Sequence, residues 1–212
     1  MLTSRDAAGT VPTMPPSDSR QSHRDRQRLE TRERIFAAAI DELASSGLDR
    51  ADIGAIVERA GVARGTFYFH FATKSDVLLE LQRREIDIIV DHLEADLTTA
   101  HLSDLVHEVL DAVLASERRL GTSLFRDMVS VNFGRAHSAS EQVSSNRLVE
   151  YIADAAGNAR SDQMISDDVD PLELTAIILV GLFGLLAASD GPTAERDELA
   201  HRYLDTIIRG ST

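Results

Sequence analysis

A single period constrains this chain more than any other feature. From about Glu30 to the end, apolar residues recur every three to four positions, and no segment sustains the alternation of a strand. Ile35, Phe36, Ala39, Ile40 and Leu43 form one stripe of an amphipathic helix, and Ile53, Ile56, Val57 and Ala60 repeat it over a shorter stretch. Leu78, Ile86, Ile89, Leu93 and Leu97 sustain it over a longer one, which as a helix would span about 35 Å. Further stripes run from Leu105 to Leu114, Leu124 to Phe133, Leu148 to Ala155 and Leu199 to Ile208. Leu174 to Ala188 is apolar all round, so its helix needs cover on more than one side. The fold class is all-α.

Stop and start signals divide the stripes. Gly47 is placed to end the first helix, Asp52 to cap the second, and Gly61 to turn the chain sharply with a positive φ. Thr73-Lys74-Ser75-Asp76 reads as a capping sequence opening the long helix. Ser103 is a candidate cap for the next. Ser138 with Glu141 reads as a capping box before Leu148, with Gly157-Asn158 as the stop. Asp170-Pro171-Leu172-Glu173 combines a cap, a proline at the first helical position and an acid. The last helix ends at Gly210.

Charge is unevenly placed. The 212 residues carry a net charge of −13, but residues 1–74 carry +1 and residues 75–212 carry −14. Such asymmetry hints at nucleic-acid contact by the front of the chain. Residues 1–27 hold Pro12, Pro15, Pro16, several serines and Arg20, Arg24 and Arg26, with no apolar period, and are expected to be a disordered tail. Its arginines, with Arg28, could serve as a basic arm on phosphates or in a minor groove. Residues 28–74 then form a DNA-binding unit and residues 75–212 an effector-binding and dimerisation domain. Absence of cysteine excludes disulfides and thiolate chemistry. The first residues lack a secretory apolar core, and the longest uncharged apolar run, Leu174–Ala188, is too short to span a bilayer, so a cytoplasmic protein without a membrane partner is expected.

Helix, short turn with glycine, helix is the layout of a helix-turn-helix, whose second helix enters the DNA major groove. The second helix here is Ala63-Arg64-Gly65-Thr66-Phe67-Tyr68-Phe69-His70-Phe71. Phe67 and Phe71, four apart, share a face and should pack inward. Arg64, Gly65, Thr66, Tyr68 and His70 lie off that face. Arginine can bind guanine bidentately, threonine can touch a thymine methyl or a phosphate, and glycine permits close approach. Tyr68 and His70 can donate to phosphates, and Lys74 lies where the next helix begins, another anion-favouring place.

Residues 60–71, AGVARGTFYFHF, followed by Lys74, resemble the TetR/AcrR family of bacterial transcriptional regulators, over roughly residues 30–80. The resemblance implies that Arg64, Gly65, Thr66, Tyr68, His70 and Lys74 lie at double-stranded operator DNA. The family usually has serine or threonine where Ala63 stands, so a helix-capping hydroxyl is missing. It also implies a rear ligand-binding domain and a homodimer through the last two helices, 172–188 and 194–209. Small residues Gly181, Gly184 and Ala188 along one face fit close helix approach. The implied function is a repressor that binds a palindromic operator as a dimer and is released by an unidentified small molecule. Phe125, Met128, Asn132 and Phe133, with His107 and Tyr151 on neighbouring helices, are the candidate pocket residues. An enzyme is the rival reading, because Asp87, Asp91, His92 and Asp96 include i,i+4 spacings. No HExxH, phosphate loop or activated nucleophile accompanies them, so they read as a solvated helix face, with no enzyme activity, metal or cofactor expected.

Overall fold

The computed structural model describes residues 17–95, 101–134, 146–188 and 191–212, with side chains from residue 23 onward and, in the second stretch, as far as Val131. The described residues form helices and no strand. In chain order these are α1 Ser17–Arg50, α2 Ile53–Ala60, α3 Arg64–His70, α4 Lys74–Ala95, α5 Leu102–Leu120, α6 Thr122–Gly134, α7 Arg147–Ser161, α8 Pro171–Ala188 and α9 Ala194–Ser211. One apolar cluster runs through them all. Ile35, Phe36, Ile56, Phe67 and Phe71 form its front, Leu78, Leu81 and Val90 of α4 its middle, and Leu110, Phe125, Ile152, Ile178 and Leu204 its rear. Helix α4 packs on α1 on one side and on α5, α6 and α7 on the other. Its 22 residues, about 33 Å long, connect the two parts.

The local signals at the front are realised. Asp52 accepts from the Gly54 amide at 2.9 Å, and Gly61 closes α2 in the left-handed region at φ 64°. Thr73 and Asp76 cap reciprocally: the Thr73 amide donates to Asp76 Oδ2 at 2.8 Å and the Asp76 amide to Thr73 Oγ1 at 3.2 Å. Gly47 breaks α1 at φ 74°, ψ 165°, a conformation that essentially only glycine adopts. At the rear, Asp170 Oδ1 accepts from the amides of Leu172 and Glu173 at 3.0 and 2.9 Å, opening α8.

Three expectations are corrected. Residues 17–27, expected to be disordered, are the first turns of α1, while residues 1–16 lie outside the described residues. Extending an established helix fixes one residue per added hydrogen bond and needs no apolar stripe; only starting one carries the nucleation penalty. Helix α5 starts at Leu102 with His101 at its cap position, and the Ser103 hydroxyl turns to Asp104 instead. Helix α7 runs through Gly157 to Ser161, because a glycine inside a packed helix costs only about 1 kcal/mol relative to alanine. Asn146 caps α7 by accepting from the Leu148 amide, whereas Ser138 and Glu141 lie outside the described residues. Leu97, the expected end of the long helix, also lies outside them; α4 is described to Ala95.

Helix α8 is apolar around its whole circumference and, by length and composition alone, long enough to cross a membrane. It packs against α6, α7 and α9, and the chain itself buries one third of it. Ile177 and Val180 remain 51% and 60% exposed, with Leu172 and, on α9, Leu199 also in solvent. Among the small residues expected to line an approach, Gly181 serves its own chain. A Cβ there would meet the Tyr203 hydroxyl at 2.0 Å, and that hydroxyl donates to the Ile177 carbonyl at 2.6 Å. Gly184 faces open space.

Candidate nucleic-acid interface

Helix α3 is only seven residues long, too short to hold itself in water. It is held by Phe67, fully buried, and by Phe71 just beyond its end, whose rings lie 6.1 Å apart. Phe36 of α1 meets Phe71 at 6.5 Å, which fixes the helix against the first one. Ala63 at its start provides no side-chain cap. With its inner face so anchored, α3 turns Arg64, Gly65, Tyr68 and Phe69 outward, and Thr66 and His70 are half-buried. Tyr68 is 46% exposed, and its ring stands edge-on to Phe67 at 5.5 Å, so the buried anchor also orients the outer ring. The Arg64 guanidinium lies 5.9 Å from the Tyr68 ring. Gly65 has no heavy atom within 4 Å of where a Cβ would stand. The fold therefore gives no steric reason for a glycine there.

His70 is set by its surroundings. Burial first, and then the positive charges of Arg32 and Arg28, hold its imidazole below the ordinary histidine range. Arg32 also donates to the His70 carbonyl at 2.7 Å and lies 4.2 Å over the Phe71 ring. Arg28 covers Phe69, the 67% exposed aromatic, at 5.1 Å. Two α1 arginines thus clasp the C-terminal end of α3.

Lys74 is placed differently from the phosphate-facing expectation. Its ammonium donates to the carbonyls of Leu48 at 2.6 Å, Ala51 at 2.9 Å and Asp49 at 3.3 Å. These are carbonyls freed where Gly47 interrupts α1, so a lysine at the start of α4 closes the end of another helix. All three ammonium donors are directed into the fold. On the other side of the same turn, Asp127 of α6 accepts from the Leu48 amide at 2.7 Å. That tie between the rear helices and the front unit had no expectation in the sequence. Its only sequence signal is that Asp127 is the single acid of α6. A third tie is Arg84 of α4, which grips Glu33 of α1 at 2.7 and 2.5 Å and lies 4.0 Å over Phe36.

The four described candidate pocket residues do not come together. Phe125 and Met128 are core and line a void of about 20 Å³ with Glu85, Ser116 and Phe183, room for roughly one water. Buried Glu85 accepts there from Ser116 Oγ at 2.6 Å and from Arg119. His107 lies elsewhere, on the seam between α5 and α9, with Nδ1 2.9 Å from His201 Nδ1 and Nε2 3.0 Å from Asp205. Tyr151 is half-buried on α7, where burial first, then Glu94 and Glu108, push its phenol up. The side chains of Asn132 and Phe133 lie outside those described. A larger cleft of about 460 Å³ opens between α4 and α5, lined by Ile88, His92, Leu93, Glu108, Ala112 and Arg119 among others. None of the four described candidates lines it. His92 does, but its helix face had been read as plain solvated surface. Part of that acidic face is engaged by Arg147 of α7, at 2.8 Å from Asp91 and 3.0 Å from Glu94.

Residues 35–81 match the family model described as bacterial regulatory proteins, tetR family. An uncharacterised helix-turn-helix-type transcriptional regulator of Bacillus subtilis (strain 168), YvdT, is 33% identical over 97 residues, 46% of this chain and 48% of that one. The chain thus spans about half the length of that relative. The crystal structure of Thermus thermophilus FadR, a TetR family transcriptional repressor in complex with lauroyl-CoA, aligns with a TM-score of 0.67 at 19% identity. That alignment covers 85% of this chain and 95% of FadR. The transcriptional regulator FadR from Bacillus subtilis in complex with stearoyl-CoA aligns with a TM-score of 0.60 at 16% identity, covering 84% and 98%. At such identities the likeness is one of fold.

Proposed function

This chain belongs to the TetR family of bacterial regulatory proteins, and on that footing we propose that it is a repressor, binding a palindromic operator as a dimer and leaving it when a small molecule binds the rear domain. The observation that carries the reading is Gly65. Glycine inside a helix costs about 1 kcal/mol relative to alanine, and nothing in the fold requires it there. A surface that must come closer than a methyl group allows does require it, and DNA in contact with α3 is such a surface.

Arg64, Thr66, Tyr68 and His70 then meet bases and phosphates around Gly65. Lys74 acts behind them, holding the 48–51 turn and with it the seat of α3. The partner of the DNA-bound chain is a second copy. The exposed apolar residues Ile177, Val180 and Leu172 of α8, beside Leu199 of α9, are the face it covers. Tight palindrome recognition follows from pairing two α3 helices at about 34–36 Å, so a small change in their spacing breaks the fit.

For the effector we propose the α4–α5 cleft. Its volume lies in the range of small-molecule sites, and its lining combines apolar side chains with His92, Glu108 and Arg119. One wall is α4, which also holds α1 through Arg84 and Lys74. Acyl-CoA is what the two FadR proteins carry in their structures; the acids Glu108 and Asp111 at this cleft oppose an anionic headgroup at that position. Selection of bound sequences from a random DNA pool tests the reading directly. The expected result is a palindromic consensus retained by wild type and weakened at least tenfold by Tyr68→Ala, with the dimer intact. Equal binding by wild type and Tyr68→Ala, or no consensus, would sink it. Repeating the selection with metabolite pools should release the chain, and a pool that only tightens binding contradicts derepression.

A further inference from the structure

Helix α1 begins far ahead of the core it serves. Every side chain described from His23 to Glu30 is exposed, and the first core residue of the helix is Ile35. A helix of charged residues with nothing to bury has no stabilising role in the fold. Its arginines, however, recur at one spacing. Arg24, Arg28 and Arg32 are each four residues apart, so at 100° per residue they make one slowly drifting stripe about 80° wide. Glu30 and Glu33 project on the opposite side, Glu33 held there by Arg84, and Asp25 lies on the flank.

The direction of that stripe is fixed by its C-terminal half. Arg32 lies over Phe71 and donates to the His70 carbonyl, and Arg28 covers exposed Phe69. The stripe therefore faces the C-terminal end of α3. Its N-terminal end, with Arg24 exposed, extends the same face by about 12 Å from Arg32. We propose that this N-terminal extension of α1 is a second DNA-binding element, a helical grip whose Arg24 and Arg28 contact backbone phosphates next to those under α3. The proposal rests on the operator-binding reading above. It assigns affinity and register to the extension and leaves base choice to α3. The extension also places positive charge where an otherwise acidic chain, net −13, would be repelled by the duplex.

The test uses the full chain and the duplex that wild type selects from a random pool, with affinity measured by fluorescence anisotropy between 50 and 300 mM KCl. Arg24→Ala/Arg28→Ala is expected to keep the wild-type helix content, melting temperature and selected consensus. Its affinity should fall by roughly tenfold or more at 100 mM salt, and the slope of log K against log salt should become shallower by about 1.8 per protomer, about 3.6 for a dimer. Arg24→Lys/Arg28→Lys should keep the wild-type slope. Unchanged affinity and slope in the alanine variant would overturn the grip while leaving the regulator reading standing. A changed consensus would overturn it too, because the extension would then be reading bases. A wild-type chain that selects no sequence brings down the regulator reading first, and the grip with it.

Discussion

Helices α3 and α8 both leave large side chains in water, and they do so in opposite ways. Helix α3 buries one anchor, Phe67, and shows a mixed surface of guanidinium, hydroxyl, phenol and imidazole around a bare glycine. Helix α8 buries Leu174, Ile178, Leu182 and Leu186 and shows Leu172, Ile177 and Val180, with no charge between Leu174 and Ala188. A polar, hydrogen-bonding surface of that kind suits a charged, hydrated partner. An apolar one suits only another apolar face. The same chain thus exposes two surfaces whose chemistry assigns them different partners.

The contrast can be broken by exchanging the character of either face. The largest effect is expected at α8. Ile177→Glu/Val180→Glu would place charges in a dry contact and should weaken dimerisation by about 4 kcal/mol or more, roughly a thousandfold. Sedimentation velocity would show monomer with unchanged helicity, and a dimer as tight as wild type would remove α8 as the covered face. Next is the anchor under α3. Phe67→Ala leaves a cavity beneath a helix too short to hold itself and should cost about 3–5 kcal/mol in urea unfolding. A loss below about 1 kcal/mol would mean α3 is held by something other than its buried ring. Lys74→Met should cost less, about 1–3 kcal/mol, by leaving carbonyls of Leu48 and Ala51 without their donor. It should weaken DNA binding without altering the salt slope, because the ammonium faces carbonyls; a slope lowered by about one per protomer would instead mark Lys74 as a phosphate contact.

The smallest effect is electrostatic. His70 is held below the ordinary histidine value by burial and by Arg32 and Arg28. Its neutral form therefore favours folding: this stability is present above the unfolded histidine value and is lost as pH falls through the lower folded one. Phosphates beside it oppose the arginines, so its titration, followed by NMR, should move upward when operator DNA binds. No movement would place His70 away from the backbone.

These residues also show which parts of the molecule can be read from sequence. Asp52, Gly61, the Thr73–Asp76 box and Asp170 act within three residues of themselves, so local chemistry specified them. The outward face of α3 followed because a four-residue spacing of Phe67 and Phe71 sorts the rest. The internal bonds of Lys74 are not legible in the sequence because its partners lie more than twenty residues away, at carbonyls that are free only once α1 has been broken. The α4–α5 cleft and the parting of His107 from Phe125 depend on how whole helices dock, which no residue spacing encodes. The helical state of residues 17–27, whose arginines the sequence already offers as a basic arm, is illegible for a different reason. Disorder and a solvated helix share one composition, and only the clasp of Arg28 and Arg32 on α3 distinguishes them.

The bond from Asp127 to the Leu48 amide bears on how far this protein can be treated as interchangeable parts. A boundary at residue 74 is natural by charge and by motif, yet the turn that seats α3 borrows an acceptor from α6. A chimera joining residues 1–95 to a relative's rear domain would bring its own α3 but leave that amide without its carboxylate. Such a hybrid should read the same bases, yet with a slacker hold on α3, unless the new domain supplies an acceptor at the corner that Asp127 now fills.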